Sequence, residues 1–362
     1  MSDAIDLEAA LPSPTASREI RRSGGLRAER TLASAQYRDG LFHNPSGARD
    51  GVKGGMGPML GEWLFGKQER RPRVTLPLDR PHDAWRRPVD TGMRVTWLGH
   101  STVVLELDGR RVLTDPVFAN RIGPLGFVGP RRFHPTPASL AELPPLDVVL
   151  LSHDHFDHLC ASTMREIATL SVPIVTALGV GAHLERCGVA PERITELDWF
   201  ESAVVGGVQF TATPAQHFSG RSLTSRNKTL WASWVIQSER HKVFFSGDTG
   251  LTDAFASIGA TYGPFDLVML EIGAFHPSWG TIHLGPENAL EVFGMLGGGT
   301  LLPVHWSTFS LGFHAWNEPG DQLVELAQRS GARILTPRIG SVFEPDHVEG
   351  ATTWWRDLER NS

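Results

Sequence analysis

The central part of the chain alternates between short apolar runs and turn residues, which is the pattern of β-strands. The runs at 94–98 and 102–107 lead into Asp108-Gly109, a dipeptide typical of tight hairpins, after which the run at 111–114 returns. The sequence therefore predicts that this part of the chain begins as an antiparallel meander.

Beyond the meander, strand patterns alternate with helical ones. Further strands are predicted at 146–151, 172–176, 208–213, 231–237, 242–246, 267–270, 300–304 and 333–336, and helices at 161–170, 251–258, 286–295 and 322–329. Two runs of strands, each finished by helices, predict two packed sheets with helices outside them. Segment 115–145, rich in Pro and Gly, is too long for a simple connection and is expected to be a functional loop.

The first 90 residues differ in composition from the rest of the chain. The first 56 are rich in Ser, Arg, Ala and Gly with few periodic apolar positions, so they are predicted to be extended or partly disordered. The apolar patch 59–65 either packs on the core or touches a lipid surface, and Arg clusters at 18–30 and 70–73 suit an anionic interface. We therefore expect an N-terminal extension (1–90), a main domain (91–345) and a C-terminal tail (346–362).

Composition and charge exclude several classes of protein. The 362 residues are 41% hydrophobic and 20% charged, as in ordinary globular proteins, and the net charge of −6 gives no basis for a nucleic-acid partner. The two cysteines match no thiolate metal motif. Because the chain has neither an apolar run of 18 residues nor a signal-like start, we expect a soluble, cytoplasmic protein whose oligomeric state stays open.

The most informative stretch follows the predicted strand 146–151. His153, His155 and His158 alternate there with Asp154 and Asp157, five ligand-type side chains within six residues. If the strand geometry continued, His153, His155 and Asp157 would face one side, and a turn could bring His158 back to them. Imidazole and carboxylate ligands favour zinc, with iron and manganese as alternatives.

Three later strands each end in one more residue of this kind. His217 follows 208–213, Asp248 follows 242–246 and His305 follows 300–304. Because a parallel or mixed sheet gathers such carboxyl ends along one edge, the residues are expected to converge. The candidate ligands are then His153, His155, Asp157, His158, His217, Asp248 and His305. This number suits two metal ions about 3.5 Å apart with a bridging carboxylate.

These ligands, in this order, resemble the pattern of the metallo-β-lactamase fold superfamily. The resemblance implies an αββα sandwich of two mixed β-sheets with helices outside, covering residues 91–345 as a hydrolase domain. It also implies two Zn²⁺ ions, the first held by His153, His155 and His217, the second by Asp157, His158 and His305, with Asp248 bridging.

A closer resemblance is to the N-acyl-phosphatidylethanolamine-hydrolysing phospholipase D branch. The segments that carry it are 95–102, 113–116, 129–133, 214–217, 247–250, 263–267 and 305–309, with a weaker likeness at 42–45. The resemblance implies cleavage of a phospholipid or a small-molecule phosphodiester by metal-bound hydroxide, with peripheral membrane contact. The chain departs from the branch at Ile282-His283, where a Gln-His pair is expected, and at His276, which replaces an acid of the mammalian enzymes.

The same interpretation assigns roles to individual residues. Asp157, Asp248 and His283 are expected to be catalytic, with His283 stabilising the transition state or protonating the leaving group, unless it merely caps the following helix. Asp115 and His100 would orient ligands, although simple burial of His100 is an equal alternative. His276 and Trp279 are expected to contact substrate.

Other functions remain open at this stage. A lactonase or a cyclic phosphodiesterase of the same fold would have a small polar pocket, whereas a lipid enzyme would have an apolar trough lined by residues such as Trp63, Phe65, Phe118, Phe127 or Trp279. A metal-sensing or lipid-binding protein without activity would lack a ligand, and all seven are present.

Overall fold

The computed structural model describes residues 14–45, 67–124, 126, 128–276 and 281–360. The predicted apolar patch 59–65, Phe127 and Trp279 therefore lie outside the described residues. Within the described ranges, no helix is both long enough and apolar enough to cross a membrane.

The chain folds into short strands interleaved with helices. The strands are β1 (Tyr37–Arg38), β2 (Leu41–Phe42), β3 (Met93–Trp97), β4 (Val103–Leu107), β5 (Arg110–Thr114), β6 (Val148–Leu151), β7 (Ile174–Ala177), β8 (Ile194–Leu197), β9 (Ser202–Val205), β10 (Val208–Thr213), β11 (Ser233–Gln237), β12 (Lys242–Phe245), β13 (Leu267–Glu271), β14 (Thr300–Val304) and β15 (Val342–Phe343). The helices are α1 (Pro14–Ala33), α2 (His82–Trp85), α3 (Ala161–Ala168), α4 (Gly181–Arg186), α5 (Ala254–Tyr262), α6 (Gly285–Met295), α7 (Glu318–Ser330) and α8 (Arg356–Arg360).

Two mixed sheets form the body of the fold. One has the strand order β15-β3-β4-β5-β6-β7-β8, and the other has the order β14-β13-β12-β11-β10-β9. Strands β5 to β8 are parallel, as are β12 to β14, and the remaining pairs are antiparallel. Side chains of both sheets share one buried apolar cluster, and the helices cover the outer faces. The predicted αββα sandwich is confirmed.

The hydrophobic pattern located most strands accurately. The predicted strands at 208–213 and 300–304 coincide with β10 and β14, and the Asp108-Gly109 turn has the positive φ angles, 49° and 79°, of a tight hairpin. The strand predicted at 333–336 is wrong, because only an isolated bridge from Leu301 to Ile334 forms there. Proline lacks the backbone N–H needed for a ladder, and Pro337 directly follows this segment.

The N-terminal segment was predicted to be extended or partly disordered, and for residues 14–33 that prediction is wrong. They form helix α1, in which Arg, Ala and Glu have a high intrinsic helix propensity. Arg27 donates hydrogen bonds to Glu185 at 2.7 Å and Glu196 at 2.6 Å, and Arg30 pairs with Glu201. These arginines, considered from sequence for an anionic interface, instead attach the helix to the main domain.

The C-terminal tail also packs on the main domain. Trp354 and Trp355 are buried, and the indole N–H of Trp355 donates to the carboxylate of Asp321 at 3.0 Å. The ring of Trp355 meets that of Trp306 edge to face, with centroids 4.9 Å apart. Because Trp306 directly follows His305, the tail supports the strand end that carries this candidate ligand.

Candidate metal centre

Four strand ends converge where the two sheets meet. Strand β6 ends at Leu151 and leads into the His-rich loop 153–158, whose residues His153 and His158 are fully buried. His217, Asp248 and His305 follow β10, β12 and β14 and are at most 4% exposed. The structure thus brings together the residues that the sequence placed at strand ends.

The His-rich loop is a turn and not a continuation of the strand. The N–H of His158 donates to the carbonyl of His155 at 3.1 Å, and the N–H of Leu159 donates to the same oxygen at 2.7 Å. Strand alternation therefore does not extend to Asp157. It is the turn that directs both ends of the loop towards the same centre.

One group of ligand atoms gathers around His155. Its members, His153, His155, His217 and Asp248, offer atoms that all lie within 4.8 Å of one another. The closest pairs are His153 Nε2 to His155 Nδ1 at 2.8 Å and His217 Nε2 to His155 Nδ1 at 3.2 Å. Three imidazoles and one carboxylate at this spacing match a metal-binding donor set.

A second group lies beside the first. His100, Asp157, His158 and His305 also have ligand atoms within 4.8 Å of one another. Asp157 Oδ2 lies 3.3 Å from His305 Nε2 and 3.5 Å from His158 Nε2. His100 belongs to this group, although the sequence analysis expected it to orient the ligands from behind.

The residues present fit a cation. Nε2 of His158 and Oδ1 of Asp248 are buried without a hydrogen-bond partner among the described residues, which is costly for polar atoms. Burial lowers the pKa of His153 and His217, leaving the neutral rings that bind metals. Burial opposes a charge on His305 as well, but the carboxylates of Asp248, Asp157 and Glu271 together outweigh it and raise the pKa of His305 to about 10. The carboxylates therefore attract positive charge strongly.

Asp115 lies directly behind the His-rich loop. Its Oδ2 accepts a hydrogen bond from His158 Nδ1 at 2.7 Å, and its Oδ1 accepts one from the N–H of Ser152 at 2.7 Å. The Ser152 hydroxyl donates to Oδ2 at 2.6 Å. A fully buried carboxylate in this place fixes the ring of His158 and leaves Nε2 for the centre. The structure thus places Asp115 where it can orient a ligand.

His100 and His305 are linked through their backbones. The N–H of His305 donates to the carbonyl of His100 at 3.1 Å, and both residues have positive φ angles, 53° and 63°. Nε2 of His100 lies 3.1 Å from Asp157 Oδ2, so the buried ring can donate to that carboxylate. Left-handed backbone at non-glycine residues is costly and clusters at functional sites.

Glu271 is a part of the site that the sequence analysis missed. It ends strand β13, is fully buried and accepts hydrogen bonds from the N–H groups of Thr249 at 3.0 Å and Leu284 at 3.2 Å. Nδ1 of His283 lies 2.9 Å from its Oε2. A carboxylate at the end of an apolar strand was the available signal, the same one that identified Asp248.

His283 lies against the two metal-ligand groups. Its ring centroid is 5.1 Å from that of His217 and 5.5 Å from that of His305. Burial opposes its charging, but the Glu271 carboxylate outweighs this effect and raises the pKa of His283. The residue does not cap helix α6, which has no side-chain cap bond at its first residues.

Asn44 is a second residue that the sequence analysis missed. Its side-chain N–H donates to the carbonyl of His217 at 2.8 Å, and its Oδ1 accepts from the N–H of His217 at 2.9 Å. The indole of Trp231 donates to the same Oδ1 at 3.1 Å. The N-terminal segment therefore holds the backbone of a candidate ligand. The weak likeness at 42–45 was the only sequence signal.

His276 and Trp279 are the two residues expected to contact substrate. His276 is half-buried, five residues beyond Glu271, and its ring lies 5.1 Å from that of Phe313. Trp279 lies outside the described residues, so its expected role stays a prediction.

Comparisons with known proteins agree with this geometry. Residues 110–306 match the family described as Beta-lactamase superfamily domain. An uncharacterised protein of Mycobacterium tuberculosis is 42% identical over 333 residues, 89% of this chain and 88% of that protein. The N-acyl-phosphatidylethanolamine-hydrolyzing phospholipase D 1 of Caenorhabditis elegans is 38% identical, covering 70% of this chain and 76% of the relative. A metal-dependent hydrolase of Methanoregula boonei is 32% identical over 219 residues, 60% of this chain and 83% of that protein.

Solved structures show the same fold at lower identity. An isothiocyanate hydrolase from Delia radicum gut bacteria superimposes with a TM-score of 0.56 at 22% identity, covering 70% of this chain and 99% of that one. A metallo hydrolase of Ignicoccus hospitalis gives a TM-score of 0.54, also at 22% identity, covering 70% of this chain and 98% of that one. At this identity the likeness concerns the fold.

Proposed function

Because the chain belongs to the β-lactamase superfamily and is a metal-dependent hydrolase of that family, we propose that it hydrolyses phosphodiesters with two metal ions. We further propose phospholipase D-type cleavage of N-acyl-phosphatidylethanolamine or a related phospholipid as the reaction. Zinc is the proposed metal, since imidazole and carboxylate donors suit it, and iron and manganese are the competitors.

One observation carries the proposal of two metal ions. Oδ2 of Asp248 lies 3.1 Å from His158 Nε2 and 3.2 Å from His305 Nε2, on the side of the second group. The same oxygen lies 3.9 Å from His153 Nε2 and 3.8 Å from His217 Nε2, in the first group. A carboxylate between two sets of imidazoles is the arrangement in which it bridges two ions.

The proposed ligands are those expected from the resemblance. His153, His155 and His217 would hold one ion, Asp157, His158 and His305 the other, and Asp248 both. When bound, such a pair lowers the pKa of water and neutralises the charge of a phosphodiester. The protein's own part is to keep these seven side chains in place, through contacts such as those of Asp115 and Asn44.

The leaving group needs a proton, and His283 is the proposed donor. Its Nδ1 is engaged by Glu271, and we propose that Nε2 gives a proton to the departing alkoxide. Glu271 stabilises the charged ring before transfer, because the carboxylate raises the pKa of His283. The Glu271–His283 pair thus supports acid catalysis at the edge of the metal centre.

The names of relatives support the lipid substrate. Two of them, from Caenorhabditis elegans and Saccharomyces cerevisiae, are named as N-acyl-phosphatidylethanolamine-hydrolyzing phospholipases D, at 38% and 32% identity. The segments that resemble that branch run from 95–102 to 305–309 and include three of the candidate ligands, His217, Asp248 and His305. The departures at Ile282 and His276 concern side chains around the substrate and leave the proposed metal ligands unchanged.

Metal content and substrate preference test the proposal together. Purified protein is analysed for metal and assayed on N-acyl-phosphatidylethanolamine dispersed in detergent, on bis(p-nitrophenyl) phosphate and on a lactone. We expect about two metal ions per chain and strong lipid turnover, restored by zinc after chelation. Cleavage of the soluble diester alone would discard the lipid, and cleavage of the lactone alone would discard phosphodiester chemistry.

A further inference from the structure

A closed loop projects beside the metal centre at residues 121–131. The N–H of Ile122 donates to the carbonyl of Pro130 at 3.1 Å, which joins the two arms at the base of the loop. The arms touch so closely that a Cβ on Gly123 would lie 2.2 Å from the carbonyl oxygen of Val128. The chain between the arms has the sequence Pro-Leu-Gly-Phe-Val at 124–128, and among its described residues the side chain of Val128 is 50% exposed.

A second loop, residues 218–229, borders the centre from the other sheet. Phe218 packs against His155, a proposed metal ligand, with ring centroids 4.5 Å apart, and the guanidinium of Arg226 lies 4.3 Å above the Phe218 ring. Leu223, five residues further on, is fully exposed. This loop thus also carries an apolar side chain to the surface beside the site.

Phe156 connects the two loops, which we call the rim loops. It belongs to the His-rich loop, and the guanidinium of Arg221 lies 4.1 Å above its ring. On its other side Phe156 packs on a small buried cluster that contains Ile122. Both rim loops therefore contact Phe156, and a proposed ligand, Asp157, directly follows Phe156.

The charge of the rim loops differs from that of the whole chain. They contain five cationic residues, Arg121, Arg131, Arg221, Arg226 and Lys228, and no Asp or Glu, whereas the chain has a net charge of −6. Arg131 and Lys228 are exposed, and neither forms an ion pair with a described residue, although Lys228 Nζ donates a hydrogen bond to the carbonyl of Gly40 at 2.9 Å. The rim loops therefore combine positive charge with exposed apolar side chains.

We propose that the rim loops dock the protein on an anionic phospholipid bilayer, with Val128 and Leu223 entering the interface and the cations meeting lipid headgroups. This inference deepens the proposed function and rests on it, since docking would bring the metal centre to a lipid substrate. Apolar tips combined with basic neighbours are the features of interfacial anchors. A nucleic acid would be recognised through the same cations without any use for the apolar tips.

Sedimentation with vesicles tests the docking surface without any turnover. The full-length protein is mixed with vesicles of phosphatidylcholine alone or with added phosphatidylglycerol, neither containing an N-acylated lipid. We expect binding to the anionic vesicles, weakened by salt. The double variant Val128→Ser/Leu223→Ser should lose about tenfold in affinity, because the apolar side chains no longer leave water.

A matched pair of substitutions serves as the control. Leu170 is 40% exposed just beyond α3, which leads away from the His-rich loop, and Val204 is 72% exposed opposite Gln209, at the end of β10 far from His217. Leu170→Ser/Val204→Ser removes one Leu and one Val from the surface and should bind vesicles like the wild type. Equal melting temperatures and metal contents will show that both variants fold.

The charges are tested by Arg131→Ala/Lys228→Ala, which should weaken binding to anionic vesicles about tenfold and leave the weak binding to phosphatidylcholine unchanged. Wild-type binding that is absent, or unaffected by both rim variants, overturns the docking surface. Detergent-dispersed lipid is assayed in parallel, so docking without lipid hydrolysis would refute the proposed function alone, and hydrolysis without docking would refute this inference alone.

Discussion

Both carboxylate oxygens of Glu271 lie within hydrogen-bond distance of one nitrogen of His283, at 3.0 Å and 2.9 Å from Nδ1. The carboxylate is fully buried and is fixed by two backbone N–H groups, so it cannot turn away from the ring. This pair holds Nδ1 of His283 against a buried carboxylate.

The loss of turnover caused by Glu271→Gln should therefore depend on the leaving group. A proton donor matters little when the leaving group is p-nitrophenolate and much more when it is an alkoxide, for which we expect a loss of about 10²-fold. His283→Ala should show the same difference between substrates, and the double variant should be no worse than either single one. Steady-state kinetics on aryl and alkyl phosphodiesters will measure this.

The control for this prediction is metal content together with Glu325→Gln, a substitution of an exposed carboxylate on α7. Metal content should stay near that of the wild type in every variant. Equal losses on aryl and alkyl substrates would mean that Glu271 only supports the fold.

Asp248→Asn should lower metal content and activity together. The amide keeps the size of the side chain but removes the negative charge that lies between His158 and His305 on one side and His153 on the other. Metal analysis after dialysis, with Asp83→Asn as an exposed control, measures the effect. Full activity with unchanged metal would contradict the bridging role.

Asn44→Ala tests whether the N-terminal segment takes part in building the centre. The change removes a pair of hydrogen bonds to the backbone of His217 and leaves these buried groups unpaired, which costs about 1–3 kcal/mol. We expect a lower melting temperature and weaker metal retention under chelation. A variant that melts early but retains metal like the wild type would show that Asn44 serves stability alone.

The sequence indicated most of the candidate ligands because they stand close to strand ends. An apolar run followed at once by His or Asp identifies such a place without knowledge of the fold, as at His217 and Asp248. Glu271 carries the same signal, since it directly follows the predicted strand 267–270, but it received no role in the sequence analysis. Its function follows from a contact with His283 twelve residues away, which no local pattern indicates.

The prediction for the N-terminal region was wrong for a different reason. Helix α1 has no regular apolar face, so its sequence does not reveal it. Its attachment depends on Arg27, which meets Glu185 and Glu196 more than 150 residues away. Asn44 likewise acts through His217. Long-range polar contacts of this kind leave no periodic trace in a single sequence.

Asp108 joins the two sheets at the end of the sandwich that lies opposite the metal centre. This residue, at the turn between β4 and β5, accepts hydrogen bonds from the Ser238 hydroxyl at 2.7 Å and from the N–H of Arg240 at 2.8 Å, in the turn between β11 and β12. Burial would raise the pKa of Asp108, but these hydrogen bonds and the Arg240 guanidinium outweigh it and lower the pKa. The ionised carboxylate therefore ties one sheet to the other.

Asp108→Asn should make the melting temperature less dependent on pH. A carboxyl whose pKa is lower in the folded state stabilises the fold above its unfolded pKa of about 3.9 and loses this effect as the pH falls. Asparagine tolerates the positive φ of this turn, so the hairpin is kept. The substitution removes the charge and replaces one of two accepting oxygens by an NH2 group, which cannot accept the hydrogen bonds made there. At neutral pH the variant should melt about 2 °C lower than the wild type, and the difference should shrink between about pH 5 and pH 3. Calorimetry across this pH range, with Asp83→Asn as the exposed control, measures the difference in melting temperature. A difference that is constant with pH would assign the effect to packing and not to the charge.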